Sequence, residues 1–171
     1  TTSTSFVMML CDCLATTIME KRKFTKENFF LFHKGGNLGA SLRLAKDIMV
    51  SGKKMPIINY KKKFSDAVKI MNQKKLGIVV ITKNKHILGL ITDGDLRRVL
   101  NNSSKERRLE KIIRNYPLVI NENMPASKAL GFMSEKKITS LLVVADKEFK
   151  KKNKTLKGII NIHSLLQNGI K

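Results

Sequence analysis

The stretch Gly89-Leu-Ile-Thr-Asp-Gly-Asp-Leu-Arg-Arg98 returns in weaker form as Gly158-Ile-Ile-Asn-Ile-His-Ser-Leu-Leu166. Both copies set an apolar run, a glycine and a polar helix start in one order, so the chain reads as an internal duplication, and a duplication limits the fold more than any single residue does. The spacing extends the repeat upstream. Ser65, Ala67, Met71 and the pair Lys74-Lys75 recur as Ser127, Ala129, Met133 and Lys136-Lys137, each 62 residues later. Gly89 and Gly158 lie 69 residues apart, so the second copy carries seven extra residues, expected in the lysine-rich stretch 149–157 as an exposed hairpin tip.

Each copy reads as strand, helix, strand, strand, helix. In the first, residues 56–58 form a short strand, and residues 65–75 form a helix capped by Ser65 or Asp66. Residues 78–82 and 87–92 are apolar runs too short for helices and read as a hairpin, with Asn84 suited to its tight turn. Residues 93–100 give the closing helix. The two copies are expected to pack through their sheets, because 78–81 and 141–144 are too apolar for exposure.

Residues 1–45 lie outside the repeat. Phe6, Met9, Leu10, Cys13, Leu14, Thr17 and Ile18 follow helical spacing, and the Ser and Thr cluster before them offers potential caps. The apolar part, 6–19, is interrupted by Asp12 and has no basic region ahead of it, which argues against a signal peptide and reads as too short to span a membrane. Downstream, Phe29-Phe-Leu-Phe-His33 runs into Lys34-Gly-Gly-Asn-Leu-Gly39, a glycine-rich turn that brings backbone close to a neighbour.

Charge and cysteine usage narrow the function classes. The formal net charge is +21, from 34 Lys and Arg against 13 Asp and Glu, and it favours an anionic partner on electrostatic grounds. The lysines are spread over separate segments, which fits a solvated surface better than a nucleic-acid stripe, and with 6% aromatics and no Trp a base-stacking platform is not expected. Cys11 and Cys13, the two cysteines, are spaced i, i+2, which points them apart on a helix. They make neither a disulfide nor a zinc motif, so the expectation is a reducing cytoplasm, with no metal and no cofactor.

With the duplicated unit in hand, residues 46–168 resemble a tandem pair of cystathionine-beta-synthase (CBS) domains. Asp47-Ile-Met49 resembles the usual lead-in, and Gly89-Leu-Ile-Thr-Asp-Gly-Asp95 the family's Gly-apolar-apolar-Ser/Thr-x-x-Asp ligand motif. Residues 1–45, above all His33-x-Gly35-Gly36-x-Leu38-Gly39, resemble the C-terminal end of the sugar isomerase (SIS) domain of arabinose 5-phosphate isomerases, which carry a CBS pair directly after it. Lys34 stands where proline is usual in that family, and Ala40 where a basic residue is usual.

The resemblance implies an α/β chain of two pseudo-symmetric CBS domains, 46–105 and 106–171, preceded by a SIS fragment, 1–45. It implies a parent that interconverts ribulose 5-phosphate and arabinose 5-phosphate on the way to lipopolysaccharide, as a homotetramer, with a sugar phosphate as substrate and no membrane partner. It places His33 in the catalytic site; from the residues alone, His33 could equally cap a strand end. The remaining catalytic groups of that family lie upstream of Thr1, so the fragment alone is expected to be inactive. In the CBS pair, Thr92, Asp95, Gly77 and Ile78 are the expected ligand-binding residues. Helix N–H groups would hold a phosphate and the Asp95 carboxylate a ribose diol of a nucleotide regulator, while simple helix capping explains the same residues. In the second copy Asn161 and Ser164 replace Thr92 and Asp95, so one site is expected. The competing reading is a free-standing nucleotide-sensing CBS pair without catalysis.

Overall fold

The computed structural model describes residues 1–25, 28, 29, 39, 42–101, 109–113 and 117–170. It divides into two compact units, Thr1–Leu42 and Arg43–Lys171.

In the first unit, helix α1 covers Thr2–Lys21. Thr1 is its N-cap residue but makes no side-chain cap; its hydroxyl instead meets that of Thr4 at 2.8 Å. The expected apolar positions do share the helix, yet none is buried, and Phe6, Met9, Leu10, Leu14 and Ile18 are all more than half exposed. The helix also exceeds the apolar stretch read from sequence. At 20 residues it is long and apolar enough, by length and composition only, to cross a membrane, so the sequence-based length argument does not hold.

The second unit contains the repeat. In its first half, β1 (Ile57–Asn59), α3 (Phe64–Lys74), β2 (Ile78–Lys83), β3 (His86–Thr92) and α4 (Asp93–Asn101) follow the expected order, after a short lead-in helix α2 (Ala45–Ile48). The second half repeats it with a lead-in helix α5 (Leu109–Ile112), then β4 (Val119–Asn121), α6 (Ala126–Lys136), β5 (Ser140–Val144), β6 (Leu156–Asn161) and α7 (Ile162–Gln167). Each sheet has three strands in order β1-β2-β3 or β4-β5-β6, the first pair parallel and the second antiparallel. The register is the same in both: Val80 opposes Leu90 as Leu142 opposes Ile159, and each hairpin bulges at the same place, after Ile81 and after Val143. Even the left-handed residues after α3 and α6 match, Lys75 at φ 53° and Lys137 at φ 51°.

Two expectations shift in detail. Helix α3 begins one residue earlier than expected, with Lys63 as N-cap, and Asp66 serves three residues in, accepting the Lys63 N–H at 3.3 Å. The extra residues of the second hairpin fall within 145–155 and include a 3-10 turn, Asp146–Glu148, so the insertion starts ahead of the lysine-rich stretch. The first hairpin closes through Asn84 and Lys85, both at positive φ, as a two-residue turn demands.

Burial follows the period-2 alternation of the strands. Val79 and Ile81 of β2 point into a core with Phe64, Met71 and Leu109, while Ile78 and Val80 join Leu142, Leu156 and Ile159 from the other half. The two sheets therefore pack through β2, as expected. The lead-in segments are exchanged. Ala45 N donates to Met124 O at 2.8 Å, Lys46 N to Glu122 O at 3.0 Å, and Val50 exchanges bonds of 2.8 and 3.0 Å with Ile159. Conversely, Leu109 of α5 completes the core of the first half.

This exchange gives one glycine a defined reason. A Cβ on Gly158 would lie 2.9 Å from Met49 Cβ and 2.6 Å from its Cγ, a clash that side-chain rotation alone cannot relieve. Gly158→Ala should destabilise the chain by about 1 to 3 kcal/mol, read by urea unfolding. Gly131→Ala, inside α6 with open space around it, should instead stabilise it by about 0.5 to 1 kcal/mol.

A second test concerns Glu122. The Lys157 ammonium donates to its carboxylate and the Asp146 N–H adds a bond at 3.2 Å, which together hold the Glu122 carboxyl below the usual range despite partial desolvation. A carboxyl depressed in the folded state contributes stability above its unfolded pKa and loses it as pH falls through the carboxylate range. Glu122→Gln should cost stability near pH 7 and leave it nearly unchanged near pH 3, read as unfolding midpoints at both.

Candidate functional site

The polar start of α4 carries the site. Strand β3 ends at Thr92, which pairs across the sheet with Ile78, and α4 begins at Asp93. Gly77 precedes Ile78 at φ +68°, and its carbonyl accepts the Asp93 N–H at 3.2 Å. Backbone conformation and not space reserves this position for glycine: a Cβ there would make an ordinary 3.4 Å contact with Asp93 Oδ2, but the positive φ strains other residues. Gly77, Ile78, Thr92 and Asp95 are thus brought together around one helix N-terminus.

Thr92 and Asp95 form a reciprocal capping box. Asp95 Oδ2 accepts from Thr92 Oγ1 at 2.7 Å and from Thr92 N at 3.0 Å, and Asp95 N donates to Thr92 Oγ1 at 3.3 Å. The helix-capping role is therefore realised. Asp95 is 3% exposed, a burial that a carboxylate sustains only with partners. Its other oxygen, Oδ1, faces Arg98 Nη1 at 3.3 Å, and the Arg98 side chain is 65% exposed. Arg98 was not among the sequence-derived site residues; the signal for it is the i, i+3 spacing from Asp95 on the same helix. A buried carboxylate backed by an exposed guanidinium at a helix N-terminus has the chemistry to take a polyhydroxyl group and a phosphate together.

The second cleft differs in chemistry. Asn161 is the N-cap of α7, and its Oδ1 accepts the His163 N–H at 2.8 Å. Its Nδ2 donates to Ser140 Oγ at 3.2 Å and to Leu76 O at 3.4 Å, so the amide is committed to the protein on both ends. No carboxylate occupies the position of Asp95, since Ser164 stands there. Among the described residues no group of three or more His, Cys, Asp or Glu could hold a metal ion. His33, with Gly35, Gly36 and Leu38 of its loop, lies outside the described residues.

Comparison with known proteins places this geometry. The chain is 36% identical over 171 residues to an uncharacterised protein of Rickettsia prowazekii (strain Madrid E) and 34% identical over 174 residues to arabinose 5-phosphate isomerase KdsD of Escherichia coli (strain K12). Both alignments take in 99% of this chain and 51% of the relative, so the chain spans about half the length of the curated relatives it matches. Among solved structures, a CBS domain pair in complex with 5'-methylthioadenosine and S-adenosyl-L-methionine superposes with a TM-score of 0.63 at 20% identity, covering 76% of this chain and 99% of that one. The CBS domain family model matches residues 45–102 and 109–170. With the duplicated sheets, the exchanged lead-ins and the Thr92–Asp95 box all in that span, the chain belongs to the CBS domain family.

Proposed function

We propose that the chain is the regulatory CBS pair, together with the end of the catalytic domain, of an arabinose 5-phosphate isomerase. The observation that carries this reading is the alignment to KdsD over 99% of the chain, through the 1–45 segment as well as the repeat. The exposed apolar side chains of α1 support it, since a helix with this composition needs a packing partner such as the rest of a sugar isomerase domain.

The reaction would move a proton between C1 and C2 of ribulose 5-phosphate through an enediol. A base takes the C1 proton and an acid returns one to C2, while the neighbouring oxygens exchange their proton. Histidine suits this work because its ordinary pKa is about 6.5. We assign the role to His33, with the sugar phosphate as substrate and a cytoplasmic homotetramer as the working form. In a parent chain that includes the upstream domain, ribulose 5-phosphate should be isomerised, and His33→Ala should lower turnover by about two to four orders of magnitude. An equally active variant would make His33 structural. A parent without isomerisation would favour the second reading, a nucleotide-sensing module, which the intact Thr92–Asp95 box supports.

We further assign Thr92, Asp95, Gly77 and Ile78 to a single adenosyl-nucleotide site, with Asp95 accepting a ribose hydroxyl and Arg98 facing the phosphate. Titration calorimetry with AMP and S-adenosylmethionine should give no more than one site per chain. Asp95→Asn keeps an oxygen for the cap and removes the charge, so it should weaken binding by about 1.5 to 3 kcal/mol with little loss of stability. Unchanged affinity would reduce the box to capping.

A further inference from the structure

The seven-residue insertion builds a second feature, at the opposite end of β3. Its last residues are fastened to the first half: Ile87 N donates to Lys154 O at 2.8 Å, and Thr155 bridges His86 in antiparallel register. Its base is braced by Glu148, whose Oε2 accepts the Thr155 N–H at 3.0 Å, a bond that holds this carboxyl below its usual range. The Lys154 ammonium in turn donates to Lys151 O. The loop is thereby held as a wall over the sheet.

Beneath that wall lies a groove of about 400 Å³. Ile87, Leu88, Pro117 and Val119 form an apolar floor, and Lys152, Asn153 and Lys154 form the wall. Among the described residues no carboxylate lines it, and Glu148 of the loop is already engaged. The first hairpin closes through a two-residue turn and carries no matching insertion. Ile87 precedes Thr92 by five residues of extended strand, about 17 Å, which sets the groove apart from the nucleotide site.

An apolar floor with ammonium groups on one side matches a molecule that is flat and apolar at one end and anionic at the other. We propose that this groove is a binding site for a small phosphomonoester with a flat apolar body, independent of the Thr92–Asp95 site. The floor removes the body from water, and Lys152 and Lys154 hold the phosphate through charge-assisted hydrogen bonds. Neither part suffices alone, because phosphate on solvated lysines is weakly held and the floor is small.

Phenyl phosphate tests this, followed by methyl NMR of the full chain, with phenol and inorganic phosphate as comparators. Phenyl phosphate should saturably shift the Leu88 and Val119 methyls and bind at least about tenfold more tightly than either comparator. Lys152→Ala with Lys154→Ala should weaken it about tenfold and flatten its salt dependence, whereas Lys61→Ala with Lys63→Ala should not. Asp95→Asn should leave it unchanged, so failure of the nucleotide site and failure of the groove are separately visible. Inorganic phosphate binding as well as phenyl phosphate, shifts centred on Ile78 in place of Leu88, or full affinity in the Lys152, Lys154 double variant would each overturn the proposal.

Discussion

Everything in the repeat depends on β2 being buried on both faces. Val79, Val80 and Ile81 are fully buried, two of them turned toward the helices of their own half and one toward the partner sheet. At about 1.5 to 3 kcal/mol per buried aliphatic side chain, the partner-facing residues are too costly to leave in water. Each half is therefore an incomplete fold with one sheet face that only the other half can cover. The Thr92–Asp95 box inherits its position from this constraint, because Thr92 is held in register by Ile78, a residue of that shared core.

The two clefts show how a duplication can keep a fold while dividing its chemistry. In the first, Thr92 and Asp95 close on each other and leave Asp95 Oδ1 toward Arg98. In the second, Asn161 spends its amide on Ser140 and Leu76. Both arrangements cap a helix, and both satisfy a buried polar group, so stability places little demand on which is used. The Asp95 carboxylate sets the first cleft apart, while in the second Asn161 serves as a joint between the halves.

Much of this was legible in the sequence, for physical reasons. Apolar runs such as Ile78 to Ile81 declare buried strands, and the constant 62-residue spacing of Ser65, Ala67 and Met71 with their copies declares the second half. The capping role of the Thr92–Asp95 pair was legible because a capping box asks for a hydroxyl and a carboxylate three residues apart. The lead-in exchange was not, since it rests on backbone bonds such as Ala45 N to Met124 O, which any residue could make. For the same reason the clash that reserves Gly158 for a glycine was hidden: its cause, Met49, sits more than a hundred positions away. The full length of α1 was hidden because its ends, residues 2–5 and 20–21, are polar and extend the helix beyond the apolar pattern.

The exchanged lead-ins have a topological consequence. Residues 43–50 grip the second half, and Leu109 grips the first, so the halves clasp each other at two separate places along the chain. A peptide bond cut between Asn101 and Leu109 would sever the connection without releasing the pieces, since each fragment carries a strap belonging to the other. Such a nicked molecule would behave as a heterodimer of its own halves, and its integrity would then depend on concentration, where that of the intact chain does not.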